Sequence, residues 1–376
     1  MDKMPRWADV FLVPFINLTL AFLMSGLVVL AIGENPLDAI YFMIKGALGS
    51  TGGIGYTLYY ATNYIFAGLA VAVAFHARMF NIGGEGQAAV AGVGAAIVIL
   101  AFDWPHWALA LPFAMIGAAA FGAAWAFIPA YLQAKRGSHI VITTIMFNFI
   151  AAALMGFLLN GMLKDPNRQN AESVSFPAGA HLPTAHEVLA TFGIPFNQNA
   201  PLNVSFILAL VCAVGVWFLL WKTRLGYEIR SFGKSDAAAK YAGISAVKIT
   251  IVAMLISGAL AGMLSINVVM GEQERLIASF VEGAGFVGIA VALMGRSHPF
   301  GIVLAALLFG MLTQGGFELL FEMPSVSREM VLVIQALIIL FTGALDNLVR
   351  DPVQKLFLHL GMRKELKALN ADKGNG

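Results

Sequence analysis

The stretch FNIGGEGQAAVAGVGAA, Phe80 to Ala96, sets a Glu and a Gln among glycines immediately before a long apolar run. An acidic side chain at the centre of a membrane helix costs roughly 2.5–3.5 kcal/mol on insertion scales. Such a residue is informative only if the chain crosses membranes, and composition says that it does. Of 376 residues, 59% are hydrophobic and 12% charged, whereas ordinary soluble domains hold about 45–50% and about 25%. Mean hydropathy is +0.80. Several apolar stretches reach about 18 residues or more, enough to cross roughly 30 Å of hydrocarbon as helices. The expected class is an all-α, polytopic membrane protein.

Ten candidate helices lie near residues 10–32, 55–76, 86–102, 105–131, 139–160, 203–221, 247–269, 279–295, 299–314 and 329–349. Glu282 and three glycines weaken the eighth. The first follows Lys3 and Arg6 but is too long for a signal-peptide core and lacks a small-residue cleavage site, so it reads as a retained span. Cytoplasmic connections carry an excess of Lys and Arg. With the N-terminus inside and sides alternating, eighteen of the 23 basic residues fall inside; Lys45, Lys164, Arg168, Arg275 and Arg328 stay outside. An odd number of spans would break that asymmetry, so both termini are expected in the cytoplasm. Residues 1–350 read as the membrane domain, with an outside loop at 161–202 and an inside loop at 222–248. Residues 351–376 form a basic, amphipathic tail suited to the cytoplasmic lipid surface.

Several classes of chemistry are excluded. A net charge of +2 gives no reason to expect a nucleic-acid partner. The single cysteine, Cys212, allows neither an internal disulfide nor a multi-cysteine metal site, and the seven histidines are scattered. No Ser/His/Asp constellation can be assembled inside the membrane. The tetrad FGKS at Phe232–Ser235 ends like a phosphate-binding loop, but the glycine required five residues before its own is Glu228. The chain is therefore expected to be no enzyme and to need no cofactor.

Polar residues inside apolar spans are rare and point to function or to helix–helix contacts. Here they are Asn63, Glu85, Gln87, Thr143, Thr144, Asn148, Asn267 and Gln335. Amides and hydroxyls predominate, which suits a neutral polar solute and gives no carboxylate cluster for a driving ion. Glycines around Glu85 let the backbone leave helical geometry. A broken helix there could set Glu85 at the cytoplasmic end of a span, near Arg78, as a gate or as a plain interfacial turn. In the inside loop, LGYEIRSFGKSDAAAKYAGISAVK, a short helix is expected from Ser235 to Ala242, capped by Ser235 and ended by Gly243. Its small face (Ala237, Ala238, Ala239, Ala242) would suit a groove on a soluble partner, and Arg230, Lys234 and Lys240 an acidic rim.

In order along the chain, FNIGGEGQ, ITTIMFNFIAAAL, GYEIRSFGKSDAAAKYAGI, ISGALAGMLSIN and GFVGIAVALMGRSHPFGI resemble permease subunits of ABC importers. The class is that of ribose and branched-chain amino acids, and the branch is the one carrying nucleosides and simple sugars. The likeness covers about residues 55–345 and is weakest at 161–202. It implies a type II importer fold with two pseudo-symmetric halves, in the bacterial cytoplasmic membrane. The partners it implies are a second related permease, a cassette ATPase, which can be two fused cassettes, and an extracytoplasmic solute-binding lipoprotein or periplasmic protein. Matched residue by residue, Glu228, Arg230, Gly233, Lys234, Ser235, Ala238, Tyr241 and Gly243 would couple to the ATPase. Asn81, Gly84, Glu85, Gln87, Thr143, Thr144 and Asn148 would line or gate the pathway. A nucleoside is the expected solute, a simple sugar the alternative, and an autonomous secondary carrier the competing class. Phe66, Phe147 and Phe149 could offer flat surface to a base.

Overall fold

The computed structural model describes residues 5, 7–8, 12–341 and 349–358. Among these residues the regular structure is helical, apart from two isolated bridges, Glu172↔Ile277 and Thr184↔Asn203. The helices are α1 (Val13–Ala31), α2 (Pro36–Leu48), α3 (Thr51–His76), α4 (Gly84–Leu100), α5 (Trp107–Arg136), α6 (Ile140–Asn160) and α7 (Ala185–Ala190). They continue as α8 (Ser205–Lys222), α9 (Arg224–Lys234), α10 (Asp236–Tyr241), α11 (Ala246–Ser265), α12 (Ala284–Met294), α13 (Pro299–Glu322) and α14 (Arg328–Ile339). Residues 349–358 are helical too.

Each of the ten expected segments overlaps a helix, but they are not ten equal crossings. Among the described residues, seven helices are long and apolar enough to span: α1, α3, α5, α6, α8, α13, and α11 extended to Met270 by a π-turn at Ile266–Met270. Helices α4 and α12 have only 17 and 11 residues, about 25 and 16 Å at 1.5 Å per residue. Irregular chain at 77–83 and 271–283 precedes them. Helix α14 covers the start of the tenth expected segment, part of which, 342–348, lies outside the described residues, as do 359–376 of the expected tail and Lys3 and Arg6 at the N-terminus. Helix α2 is additional: the Asn35 side chain accepts the Leu37 amide at 3.0 Å and starts it.

The chain divides into two compact units, Met1–Phe42 with Leu319–Gly376, and Met43–Glu318. In the first, Ser25 Oγ of α1 reaches the Ile334 carbonyl of α14 at 3.5 Å, and Ser325 is hydrogen-bonded to Glu34.

In the second, α3 is buried nearly all round, and no broad polar face interrupts it. Such a helix belongs in the centre of a bundle. Its neighbours approach closely because the contacting residues are small. Gly122 of α5 and Gly258 of α11 back onto each other, and a Cβ on either would lie 2.4 Å from the other's carbonyl oxygen. Polar bonds then pin the register. Ser257 Oγ of α11 donates to the Ala70 carbonyl of α3 at 2.7 Å. Near the other end of α11, Asn267 Nδ2 donates to Asn63 Oδ1 at 2.8 Å, and Asn203 Nδ2 donates to Asn267 Oδ1 at 3.0 Å. All three amides are buried, where such bonds are strong and a missing partner is costly.

Helix α3 also orders the two ends of this unit. At its start, Tyr56 donates to the Asn199 carbonyl at 3.1 Å. Ser173 in the 161–202 loop donates its amide to the Leu276 carbonyl at 2.9 Å, and Phe176 donates its own to Glu274 at 2.8 Å. At its finish, His76 Nε2 meets the Ser297 carbonyl at 3.1 Å, and its ring packs edge-on to Trp221 at 5.3 Å.

Candidate gate and coupling surface

The cost of Glu85 is met by backbone amides. Helix α4 begins at Gly84 with Glu85 in its first turn. The Glu85 carboxylate accepts the amide of Gly283 at 2.8 Å through Oε1 and that of Gly285 at 3.0 Å through Oε2. Gly283 is the N-cap of α12. Two short helices therefore meet start to start, and one carboxylate serves both positive helix ends. The close approach requires Gly285, where a Cβ would lie 2.3 Å from the Glu85 nitrogen.

The sequence suggests Arg78, at the end of a span, as the neighbour of Glu85, whereas the carboxylate's hydrogen-bond partners are these two amides. They lie deeper in the bundle. Along α12, Gly285 faces Glu85 and Gly288 faces Ala67, and Ser297 beyond the helix reaches His76. About 14 Å of helix at 1.5 Å per residue runs from Gly285 to Met294, and the turn that follows carries Ser297.

A second cap stands behind the first. Asn148 of α6 accepts the Gly86 amide at 2.9 Å and donates to the Ile82 carbonyl at 2.9 Å. It thus satisfies one of the free N–H groups of α4. Asn81 and Gln87 exchange side-chain bonds at 3.0 and 3.2 Å; Asn81 also donates to Ser257 Oγ at 2.9 Å and accepts the Gly83 amide at 2.9 Å. Thr144 is buried and bonds back to the Ile140 carbonyl at 2.8 Å, while half-buried Thr143 does so at 3.0 Å. The structure brings Asn81, Gly84, Glu85, Gln87, Thr144 and Asn148 together around the start of α4. Asn81, Gln87 and Thr144 are sealed from solvent within this unit, so here they hold the break in shape.

Gly283, Gly285 and Ser257 complete the site, yet only the glycines of the eighth segment carried a sequence signal. The phenylalanines do not gather: Phe66 is fully buried, Phe147 packs on Trp125 at 5.3 Å, and Phe149 is exposed.

The segment 222–248 folds as expected at its second half. Helix α10 runs Asp236–Tyr241, the Ser235 hydroxyl accepts the Ala238 amide at 3.3 Å, and Gly243 follows with φ of +80°. Ala237, Ala238, Tyr241 and Ala242 are exposed, Tyr241 at 98%, whereas Ala239 turns inward. Lys240 pairs with Asp236 at 2.7 Å, and Lys234 is exposed.

The preceding α9, not foreseen, ties this surface to the bundle. Gly233 lies so close to α3 that a Cβ there would fall 2.0 Å from the His76 carbonyl oxygen. Arg230 Nε donates to the Leu220 carbonyl at 2.9 Å, and its guanidinium sits 5.9 Å above the Trp221 ring. Trp221 also packs on His298 at 5.0 Å. Glu228 is held by Arg224 at 3.0 Å.

A pair of broken helices beside a projecting loop helix suits a transport subunit, and comparison with known proteins agrees. The model of the family "Branched-chain amino acid transport system / permease component" matches residues 53–343. The chain belongs to this family. This permease is 36% identical over 334 residues to the guanosine ABC transporter permease protein NupP of Bacillus subtilis, covering 89% of the chain and 93% of that relative. It is 34% identical to the nucleoside ABC transporter permease protein NupB of Lactococcus lactis subsp. cremoris, covering 88% and 90%. Against the glucose ABC transporter permease protein TsgB13 of Haloferax volcanii it is 33% identical, covering 90% and 88%. Glu85, the asparagine caps and α10 all fall inside the matched region of this multi-pass membrane permease.

Proposed function

We propose that this permease forms one half of the membrane pathway of an ATP-driven importer for nucleosides. The observation that carries the reading is the likeness, over nine-tenths of each chain or nearly so, to two permeases named for guanosine and nucleoside transport. A simple sugar is the second reading, favoured by the relative named for glucose. A cassette ATPase would dock on α10, whose Tyr241 and alanines project into solvent. Pressure there would pass through Gly233 and Trp221 to the ends of α3 and α12. A second permease would complete the pathway, and an extracytoplasmic binding protein would select the solute.

The bacterial cytoplasmic membrane is the proposed location, with both termini inside. Support for this sidedness comes from grouping: His76, Trp221, Gly233 and Ser297 share one end of α3, the end assigned inside by charge. The test is a mild-detergent pull-down of the tagged chain from its host, followed by uptake of radiolabelled guanosine and glucose by the recovered assembly in proteoliposomes. A co-purifying cassette ATPase and ATP-dependent guanosine uptake are expected. Recovery of the chain alone, transporting without ATP, would overturn the proposal.

A further inference from the structure

Three near-parallel rings line one face of α3 and α13. Tyr56 and Tyr60 lie 6.4 Å apart at 30°, and Tyr60 and Phe317 lie 6.1 Å apart at 29°. Tyr56 and Tyr60 are half-buried, and Phe317 is 38% exposed. The carboxylates of Glu272 and Glu282 both act electrostatically on Tyr60, and both residues are exposed. Glu272 is held by the Tyr59 hydroxyl. Glu282 has a φ of +50°, a left-handed backbone unusual for a residue with a side chain.

Hydrocarbon does not tolerate two exposed carboxylates, so this face looks onto water rather than lipid. Aromatic faces beside a few fixed polar groups are the usual make-up of a small-molecule site. The rings present flat apolar surface to a base, and the carboxylates accept hydrogen bonds from ribose hydroxyls or from base N–H groups. Their negative charge repels a phosphorylated solute. Glu282 also precedes Gly283, whose amide Glu85 holds, so a solute bound there sits one residue from the joint between the broken helices.

We propose that Tyr60, Phe317, Glu272 and Glu282 form a subsite of the pathway that receives a neutral nucleoside and rejects its phosphate esters. This rests on the nucleoside reading above, and the two can fail separately. Guanosine uptake by the wild-type assembly tests that reading. The subsite is tested on the same purified assembly, without its binding protein, by photolabelling with 8-azidoguanosine and mapping the modified peptides. Labelling within 56–60, 272–282 or at Phe317, competed by guanosine and not by guanosine monophosphate, is expected.

In the complete importer with saturating binding protein, Tyr60→Leu and Phe317→Leu should each lower maximal guanosine uptake tenfold or more. ATPase activity should stay within twofold, and Tyr60→Phe, which keeps the ring, should retain more uptake than Tyr60→Leu. Where Tyr60→Leu fails to assemble, Phe317→Leu, on a part-exposed ring, decides. Wild-type uptake in Phe317→Leu, or labelling confined to other segments, overturns the subsite while leaving the importer in place.

Discussion

The Glu85 carboxylate and the Gly283 amide, 2.8 Å apart, join the starts of two helices that each stop short of a full crossing. With Gly285 as second donor, the charge that looked expensive in the sequence is offset by two helix N-termini. Irregular backbone at membrane depth requires such internal satisfaction.

Removing the carboxylate should therefore cost stability. Glu85→Ala leaves two amides without an acceptor, at about 1–3 kcal/mol each. Glu85→Gln keeps an acceptor oxygen and loses the charge–dipole contribution, about 0.3–2 kcal/mol. Melting of the purified importer in nanodiscs should fall in the order wild type, Gln, Ala. Equal melting for Ala and wild type would show that the two amides find other acceptors.

Asn81→Ala should be as damaging as an ordinary core truncation although it removes no large apolar group. It strips partners from Gln87, Ser257 and the Gly83 amide at once. A loss of about 1–3 kcal/mol is expected, read as reduced yield of monodisperse protein. Asn81→Leu, similar in volume, should not rescue it.

Gly258→Ala is a test of the close packing between α5 and α11. Its Cβ would meet the Gly122 carbonyl at 2.4 Å, so the helices must part. Overpacking costs typically about 1–3 kcal/mol, and the variant should melt earlier. Gly215→Ala, with open space around its position, should melt like the parent or slightly later.

The docking role proposed for α10 can be tested apart from folding. Tyr241→Ala changes an almost fully exposed side chain, so stability should move by less than about 0.5 kcal/mol. Recovery of the ATPase in a pull-down should nevertheless drop severalfold. Glu228→Ala combined with Arg230→Ala should insert normally but lose uptake while ATP hydrolysis persists, because Arg230 links α9 to Leu220 and Trp221. Normal uptake in the double variant would remove α9 from the coupling route.

Much of this fold is written in local pattern. Long apolar runs mark α1, α3, α5, α6 and α8 to within a few residues, because a membrane demands one length and one polarity. Ser235 and Gly243 mark α10 because caps act through their nearest backbone groups. Glu85 is different. Its oddity is visible, but its partners lie about 200 residues away and are backbone amides, which every residue other than proline carries. Gly285 differs from other glycines in what it faces, and Gly283 in a left-handed φ of +81°, neither of which is written in the sequence. The polar asparagines divide likewise: their presence is local, whereas the Asn203–Asn267–Asn63 ladder exists only once three segments have packed. Helix α9 does carry a local signal: the apolar run breaks at Lys222, and Thr223 caps the helix by accepting the Gly226 amide at 3.1 Å.

Residues 161–202 gain a mechanical meaning from where they are fastened. Ser173 and Phe176 are bonded to Leu276 and Glu274, and the Arg168 and Arg275 guanidiniums both reach Glu172. From Glu274 to Gly283 the chain contains no helix to stretch or to absorb a twist. Residues 161–202 are therefore tied, through a segment of turns, to Gly283, and so to the grip of Glu85 on the start of α12.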